Sequence, residues 1–231
     1  ISSLNIIDLK KSFTVELKLN SQPHKEKMNV ITGYGDTFRL NWHPNLPDTL
    51  TFTSQDTLDS YYYKNLKVNS SRQMHIAIVY DTTSLLFFVN GRLQDGGISK
   101  VEDGISRLTG NEPIRLKVEK GRNRAKSYMC FGSSPHMSSS SNKTMKGIVD
   151  EVRISNVARY TTDFTPAKRF QSDENTIVLY HFDEGSGDLL KDASGNGHDG
   201  KIVGAKWVKV DDELQVIEPA TTGEKPMTDR E

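Results

Sequence analysis

Asp150 stands in the run Ile148-Val149-Asp150-Glu151-Val152-Arg153-Ile154, where strict alternation puts its carboxylate on the same face as Ile148, Val152 and Ile154. Glu151 and Arg153 then fall on the other face, where they can pair or hydrate. An ionised carboxylate on an apolar face is costly unless a cation or a set of backbone donors compensates it. By the same alternation Glu184, preceded by Asp183, shares a face with Val178, Tyr180 and Phe182. Two such carboxylates on adjacent strands repel each other, and a divalent cation between them removes the conflict. The loop Asp192-Ala193-Ser194-Gly195-Asn196-Gly197 adds side-chain oxygens at Asp192, Ser194 and Asn196, with a glycine following. Calcium loops that turn sharply about a hard cation use this spacing. Val203 stands where an EF-hand would place its last acid, so this is not an EF-hand. Two states satisfy the loop. One is a calcium ion (Ca2+) shared with Asp150 and with Glu184 or Asp183; the other is a cluster of Asx turns bonding its own backbone.

A second group has the chemistry of sugar recognition. Trp42, His43, Tyr61, Tyr62, Tyr63 and Asn65 lie in or near expected loops and combine aromatic rings with an amide. Trp42 and the three tyrosines are the expected ligand-binding residues; the alternative is that such rings pack the core or the loops. Catalytic patterns are missing. There is no G-x-S-x-G elbow, no H-E-x-x-H and no phosphate-binding glycine loop, and the six histidines are scattered without metal-ligand spacing. The single cysteine, Cys130, excludes a disulfide framework and a cysteine-based zinc site. The chain is expected not to be an enzyme.

The elements that must position these groups are strands. Phe13, Val15, Leu17 and Leu19 alternate with Thr14, Glu16, Lys18 and Asn20, and similar short runs follow at residues 38–42, 50–52, 75–80, 85–89, 114–118, 148–154 and 177–182. Turn signals separate them, among them Asp81-Thr82-Thr83-Ser84 and Asn90-Gly91. Residues 23–28, 56–65 and 133–146 read as loops, and no long segment sustains a 3.6-residue period. Many short strands with regular turns predict an all-β fold, a two-sheet antiparallel β-sandwich. The 231 residues can bury a sizeable core. The 30 basic residues balance 30 acidic ones, which gives no electrostatic support for nucleic-acid binding. The basic cluster at residues 117–126 is interrupted by Glu119 and reads as a solvated loop. No apolar stretch approaches the ~20 residues of a membrane helix.

Two segments carry a family resemblance. The first is Lys146-Gly147-Ile148-Val149-Asp150-Glu151-Val152-Arg153-Ile154-Ser155-Asn156-Val157-Ala158-Arg159. It resembles the penultimate-to-last strand of bacterial laminin-G-like, concanavalin A-like modules. The second runs from Leu179-Tyr180-His181-Phe182-Asp183-Glu184-Gly185-Ser186-Gly187 through residues 192–200 and is similar to the opening strand and loop of the same family. Together with looser matches at residues 13–17 and 75–91, these cover about half the chain. Their order is reversed, as in a circular permutation. Residues 177–212 would then either complete this sandwich, through a linker such as 155–175, or open a second module; completion supplies the first strand that is otherwise missing. The resemblance implies a concanavalin A-like jelly roll at residues 1–212 with a polar tail at 213–231. It implies a non-catalytic, calcium-stabilised module of a larger secreted or cell-surface protein. Calcium at Asp150 is supported by analogy with related glucanases. The implied partner is an extracellular glycan or a surface protein, and the module is either a carbohydrate binder or a structural, protein-interaction domain.

Overall fold

The computed structural model describes residues 6–23, 30–34, 38–55, 60–95, 97–102, 105–109, 114, 116, 129–133 and 144–217. Fifteen strands are present among them: β1 (Phe13–Gln22), β2 (Val30–Tyr34), β3 (Phe38–Trp42), β4 (Thr49–Gln55), β5 (Ser60–Lys67), β6 (Met74–Tyr80), β7 (Leu85–Val89), β8 (Arg92–Leu93), β9 (Ser99–Glu102), β10 (Ile105–Leu108), β11 (Met129–Phe131), β12 (Lys146–Ser155), β13 (Thr176–Tyr180), β14 (Leu189–Leu190) and β15 (Gly200–Lys201). A six-stranded sheet has the order β13-β12-β1-β6-β7-β8 and a seven-stranded sheet the order β10-β9-β5-β4-β3-β2-β11, while β14 and β15 pair by themselves. All pairings are antiparallel. The fold is a two-sheet antiparallel β-sandwich of the jelly-roll kind.

The alternating apolar positions meet between the sheets. Phe13, Val15, Leu17 and Leu19 of β1 join Ile76, Ile78, Phe87, Val152 and Ile154 from one sheet, and Phe38, Leu40, Leu50 and Phe52 from the other. A chain of rings crosses this core: Phe13 stacks on Phe38 at 6.2 Å, Phe38 on Phe52 at 5.8 Å, and Phe52 leans on Phe87 at 4.8 Å. Such aromatic contacts add to the burial of apolar area, which supplies most of the driving force.

Turn chemistry follows the sequence. Asp81 Oδ1 accepts the backbone N–H groups of Thr83 and Ser84, closing the β6–β7 loop. Asn90 and Gly91 both have positive φ, 50° and 76°. A Cβ on Gly91 would stand 1.9 Å from the carbonyl oxygen of Phe164, so this position admits glycine alone.

Three expectations are corrected. Tyr61, Tyr62 and Tyr63 lie within β5 rather than in a loop. Leu214 is buried and its carbonyl accepts from Asn20 Nδ2 at 3.3 Å, so the packed chain continues beyond residue 212. The alternation of β12 is broken by a bulge: Glu151 lies opposite Lys18 and Val149 opposite Leu19, leaving Asp150 without a cross-strand partner. Val149 therefore packs against the core, and Asp150 is removed from the apolar face. The expected strand at residues 114–118, the basic cluster and residues 218–231 lie largely or wholly outside the described residues. β13 pairs with β12 and forms the edge of the six-stranded sheet.

Candidate functional site

Each sheet turns one face to the core and one outward, and an outward face can take a ligand only where it is open. The outward face of the six-stranded sheet is closed by the segment 156–175, which crosses it as a strap between β12 and β13. Tyr160 and Phe164 stack at 3.5 Å and meet Phe88 edge-on, while Ala77 and Val79 supply the floor. The strap is fastened by buried charges. Glu16, fully buried, accepts from Arg153 Nε at 2.7 Å, from the Tyr160 hydroxyl at 2.8 Å and from His75 Nε2 at 3.4 Å. Glu151 accepts from Lys18 Nζ and the Phe170 N–H and bonds His181 Nδ1 at 2.7 Å. The Phe170 ring lies between the Lys18 and Arg153 cations at 4.7 and 4.9 Å. Burial pushes the Glu16 carboxyl up, but the hydrogen bonds from His75, Arg153 and Tyr160 outweigh it and hold the group below its ordinary value. For Tyr160, burial first and the Glu16 charge second push the pKa of the phenol up.

The outward face of the seven-stranded sheet is polar and partly open. Register sets its rows: Arg39, Thr53, Tyr63 and Ser99 lie opposite one another, then Asn41, Thr51 and Asn65, then Thr49 and Lys67. Asn41 and Thr49 are buried, whereas Arg39, Thr51, Thr53 and Tyr63 are half-buried and Asn65 and Lys67 exposed. Thr51 Oγ1 donates to Asn65 Oδ1 at 2.8 Å, and Lys67 Nζ donates to Thr49 Oγ1 at 3.0 Å. The Tyr63 hydroxyl lies 3.1 Å from Ser106 Oγ; hydrogen bonds with Ser106 and Ser99 pull its pKa down. Donors and acceptors are thus held at strand spacing on a rigid surface.

Of the aromatic residues expected to bind ligand, Trp42 and Tyr62 are core residues. Trp42 is 2% exposed, with its indole N–H on Ser21 Oγ at 2.9 Å, and Tyr62 is 6% exposed. The Tyr61 side chain lies outside the described residues. Tyr63 and Asn65 do stand on the open face. Arg39, Thr51, Thr53 and Lys67 join them; their signal in the sequence is a polar residue at every second position of Phe38-Arg39-Leu40-Asn41-Trp42 and Thr49-Leu50-Thr51-Phe52-Thr53.

The expected metal ligands separate into groups. Asp192, whose side chain is fully buried, accepts the N–H groups of Leu179 and Ser194 on Oδ1 and of His198 on Oδ2, each at 3.0 Å. Ser194 Oγ donates to the Ile177 carbonyl, and Asn196 Nδ2 to the carbonyls of Thr176 and Ile177. These side chains act as a substitute strand along the free edge of β13. Burial raises the Asp192 carboxyl, and the bonds from Ser194, Leu179 and His198 outweigh it and bring it below its usual value. Asp150 lies near Glu151, Lys18, Asp183 and Arg169; burial and then the Glu151 charge push its carboxyl up. Asp183 pairs with Arg169. Phe182 has a φ of 55°, beyond the end of β13, so alternation does not reach Glu184. Glu184 Oε1 accepts from the Lys191 N–H at 2.7 Å, and its Oε2 is buried with no hydrogen bond. Among the described residues no three of His, Cys, Asp and Glu form a group that could hold a metal. As placed, the donors do not fit an ion shared by Asp150, Glu184 and Asp192.

No known family and no curated protein matches the sequence. Solved structures share its architecture. A candidate carbohydrate-binding protein from Bacteroides ovatus is 20% identical, with a TM-score of 0.51 over 85% of this chain and 55% of that one. This chain therefore spans little more than half the length of that protein. An SAP-like pentraxin from Limulus polyphemus is 12% identical, with a TM-score of 0.41 over 65% of this chain and 66% of that one. The binding domain of botulinum neurotoxin DC is 12% identical, with a TM-score of 0.40 over 66% and 34%. The Bacteroides ovatus likeness shows a shared fold; the other two are too distant to bear on function.

Proposed function

We propose that the chain is a non-catalytic module that binds carbohydrate on the open face of the seven-stranded sheet, as part of a larger secreted or cell-surface protein. The observation that carries this reading is the polar table of Arg39, Thr53 and Tyr63 beside Thr51 and Asn65, in strand register. A sugar presents hydroxyl groups that need donors and acceptors in fixed positions, with an aromatic ring for its apolar patch. Strands supply that fixity without further ordering cost. Hydrolysis of a glycoside needs two carboxylates flanking the scissile bond. The outward positions of β3, β4, β5 and β9 whose side chains are described are Arg39, Asn41, Thr49, Thr51, Thr53, Tyr63, Asn65, Lys67, Ser99 and Val101, with no Asp or Glu among them. The shared fold of the Bacteroides ovatus protein supports the same reading.

A glycan array tests it. The chain should bind a subset of glycans, and Tyr63→Ala should lose that binding while its melting temperature stays within a few degrees. A blank array, or binding indifferent to Tyr63→Ala, would overturn the proposal.

For a calcium ion the residues pull in two directions. What supports it is Glu184 Oε2, buried without a donor, and Asp150, a half-buried carboxylate beside Asp183 and Glu151. What opposes it is Asp192, whose oxygens already accept three N–H groups. A chelator should accordingly leave the melting temperature unmoved. A fall of several degrees, reversed by calcium and abolished by Glu184→Gln, would place an ion at Glu184.

A further inference from the structure

We infer that Asn196 is a site of spontaneous deamidation, and that its conversion loosens the edge of β13. Asparagine followed by glycine is the dipeptide most prone to this reaction, because glycine has no Cβ to shield its backbone nitrogen. The sequence has two, Asn90-Gly91 and Asn196-Gly197. Both asparagines are exposed, so what separates them is how each is held. Asn90 is clamped from both sides. Its N–H donates to the His75 carbonyl and its Oδ1 accepts the His75 N–H, each at 2.8 Å. The Gly91 carbonyl accepts the Phe164 N–H at 2.9 Å, and the strap presses on the Gly91 Cα from the same side. The Gly91 nitrogen cannot swing onto Asn90 Cγ without breaking these bonds. Asn196 instead stands at the apex of its loop. Asp192 holds the shoulders, accepting the N–H groups of Ser194 and His198 at 3.0 Å. The flanking Gly195 and Gly197 have φ of 84° and 76°, and a Cβ on either would meet nothing within 4 Å. Apart from a long bond of 3.3 Å from its N–H to Ser194 Oγ, Asn196 is held by its own amide. That amide donates to the Thr176 and Ile177 carbonyls at 2.8 and 3.1 Å.

The reaction consumes water and releases ammonia. The Gly197 nitrogen attacks Asn196 Cγ, the Cγ–Nδ2 bond breaks, and ammonia leaves with the proton that the Gly197 nitrogen gives up. Water then adds to one carbonyl of the cyclic imide and breaks its bond to that nitrogen, which takes up a proton. Opening at the side-chain carbonyl yields aspartate, and opening at the main-chain carbonyl yields isoaspartate. Either product carries a carboxylate where the amide stood. A carboxylate accepts and does not donate, so it faces the Thr176 and Ile177 carbonyls acceptor against acceptor and both bonds are lost. Asp192 still accepts the Leu179 N–H, so β13 opens at its Thr176–Ile177 end. Uncovered backbone on an edge strand is a template for another chain.

The folded chain, kept in warm, mildly alkaline buffer, tests this by peptide mass mapping, with isoaspartate scored by an isoaspartate-specific methyltransferase. A parallel sample in urea gives the unclamped rate of both dipeptides. The expected result is conversion of Asn196 in the folded chain and of Asn90 in urea only. Asn196→Gln should abolish the conversion at that position. Asn196→Asp carries the product charge from the start, and should melt roughly 2–4 °C lower for each hydrogen bond of ordinary strength that is lost. The aged wild-type chain should fall to the same melting temperature. Asn196 left intact in the folded chain while the urea sample converts overturns the inference, and so does Asn90 converting as fast as Asn196 in the folded chain. An Asn196→Asp chain as stable as the wild type overturns the loosening of β13.

Discussion

The outward faces of the two sheets begin from the same kind of pattern and end differently. In β1 the positions between core residues are Thr14, Glu16, Lys18 and Asn20; in β4 they are Thr49, Thr51 and Thr53. Either series reads as a solvated face. In the structure Glu16 and Lys18 are at most 5% exposed beneath the strap, while Thr51 and Thr53 remain half-open. The difference lies in what stands across the strands. Lys18 faces Glu151, and Glu16 faces Arg153. A charge can be enclosed only with its counter-charge and with hydrogen bonds for its remaining donors and acceptors. Matched opposite charges across a strand pair therefore mark a face that something covers, and rows of threonine, asparagine and tyrosine mark one left open.

The contrast can be broken most forcibly on the strap side. Arg153→Ala would leave Glu16 buried without its hydrogen-bonded cation, with only Arg159 at 3.9 Å in its place, and should cost about 3–5 kcal/mol in urea unfolding. A loss below about 1 kcal/mol would be that of a solvent-exposed pair, and the two faces would then not differ. The edge of β13 gives an intermediate effect. Asp192→Ala leaves three backbone N–H groups without their acceptor and should cost about 1–3 kcal/mol. Because the Asp192 carboxyl is lowered in the folded chain, its contribution is present above the unfolded value of about 3.9 and is lost as pH falls through the folded value. The variant should thus lose less stability than the wild type over that acid range. A parallel acid limb in the two proteins would show that Asp192 is not held as described. The smallest effect belongs to the open face, where Tyr63→Ala should change stability by about 0.5 kcal/mol or less. A loss above about 2 kcal/mol would mean that the ring is packed as Tyr62 is.

The sandwich is legible in the sequence because the period of two is local and repeated. The alternating runs at residues 38–42 and 85–89 have the same limits as β3 and β7. The site is less legible, and for specific reasons. Alternation predicts a face only while the strand is regular; the bulge at Asp150 turns Val149 to the core and moves the acid off the core side, while Glu151 keeps the outward face that alternation gives it. Three consecutive tyrosines carry no period, so β5 reads as a loop although Tyr62 points inward and Tyr63 outward. The Asp192 loop is ambiguous in kind. Its oxygen spacing suits a cation and suits equally the edge of β13, and only the fold brings beside it the Leu179 N–H that Asp192 accepts and the Thr176 and Ile177 carbonyls that Asn196 and Ser194 donate to. The strap cannot be foreseen as a cover, since its contacts with β1 join residues about 150 positions apart.

The central place of β1 has a consequence for synthesis on the ribosome. One edge of β1 pairs with β6, which ends at Tyr80, and the other with β12, which ends at Ser155. At translation rates of 5–20 residues per second the nascent chain holds β1 with one edge vacant for roughly 4–15 s. During that interval Glu16 has neither Arg153 nor Tyr160, and the backbone of β1 offers a ready template to any other extended chain. Glu16 and Lys18, charged and still hydrated at that stage, then serve as gatekeepers against association with neighbouring nascent chains. The same two side chains become clasps of the strap once Phe170 has emerged from the ribosome.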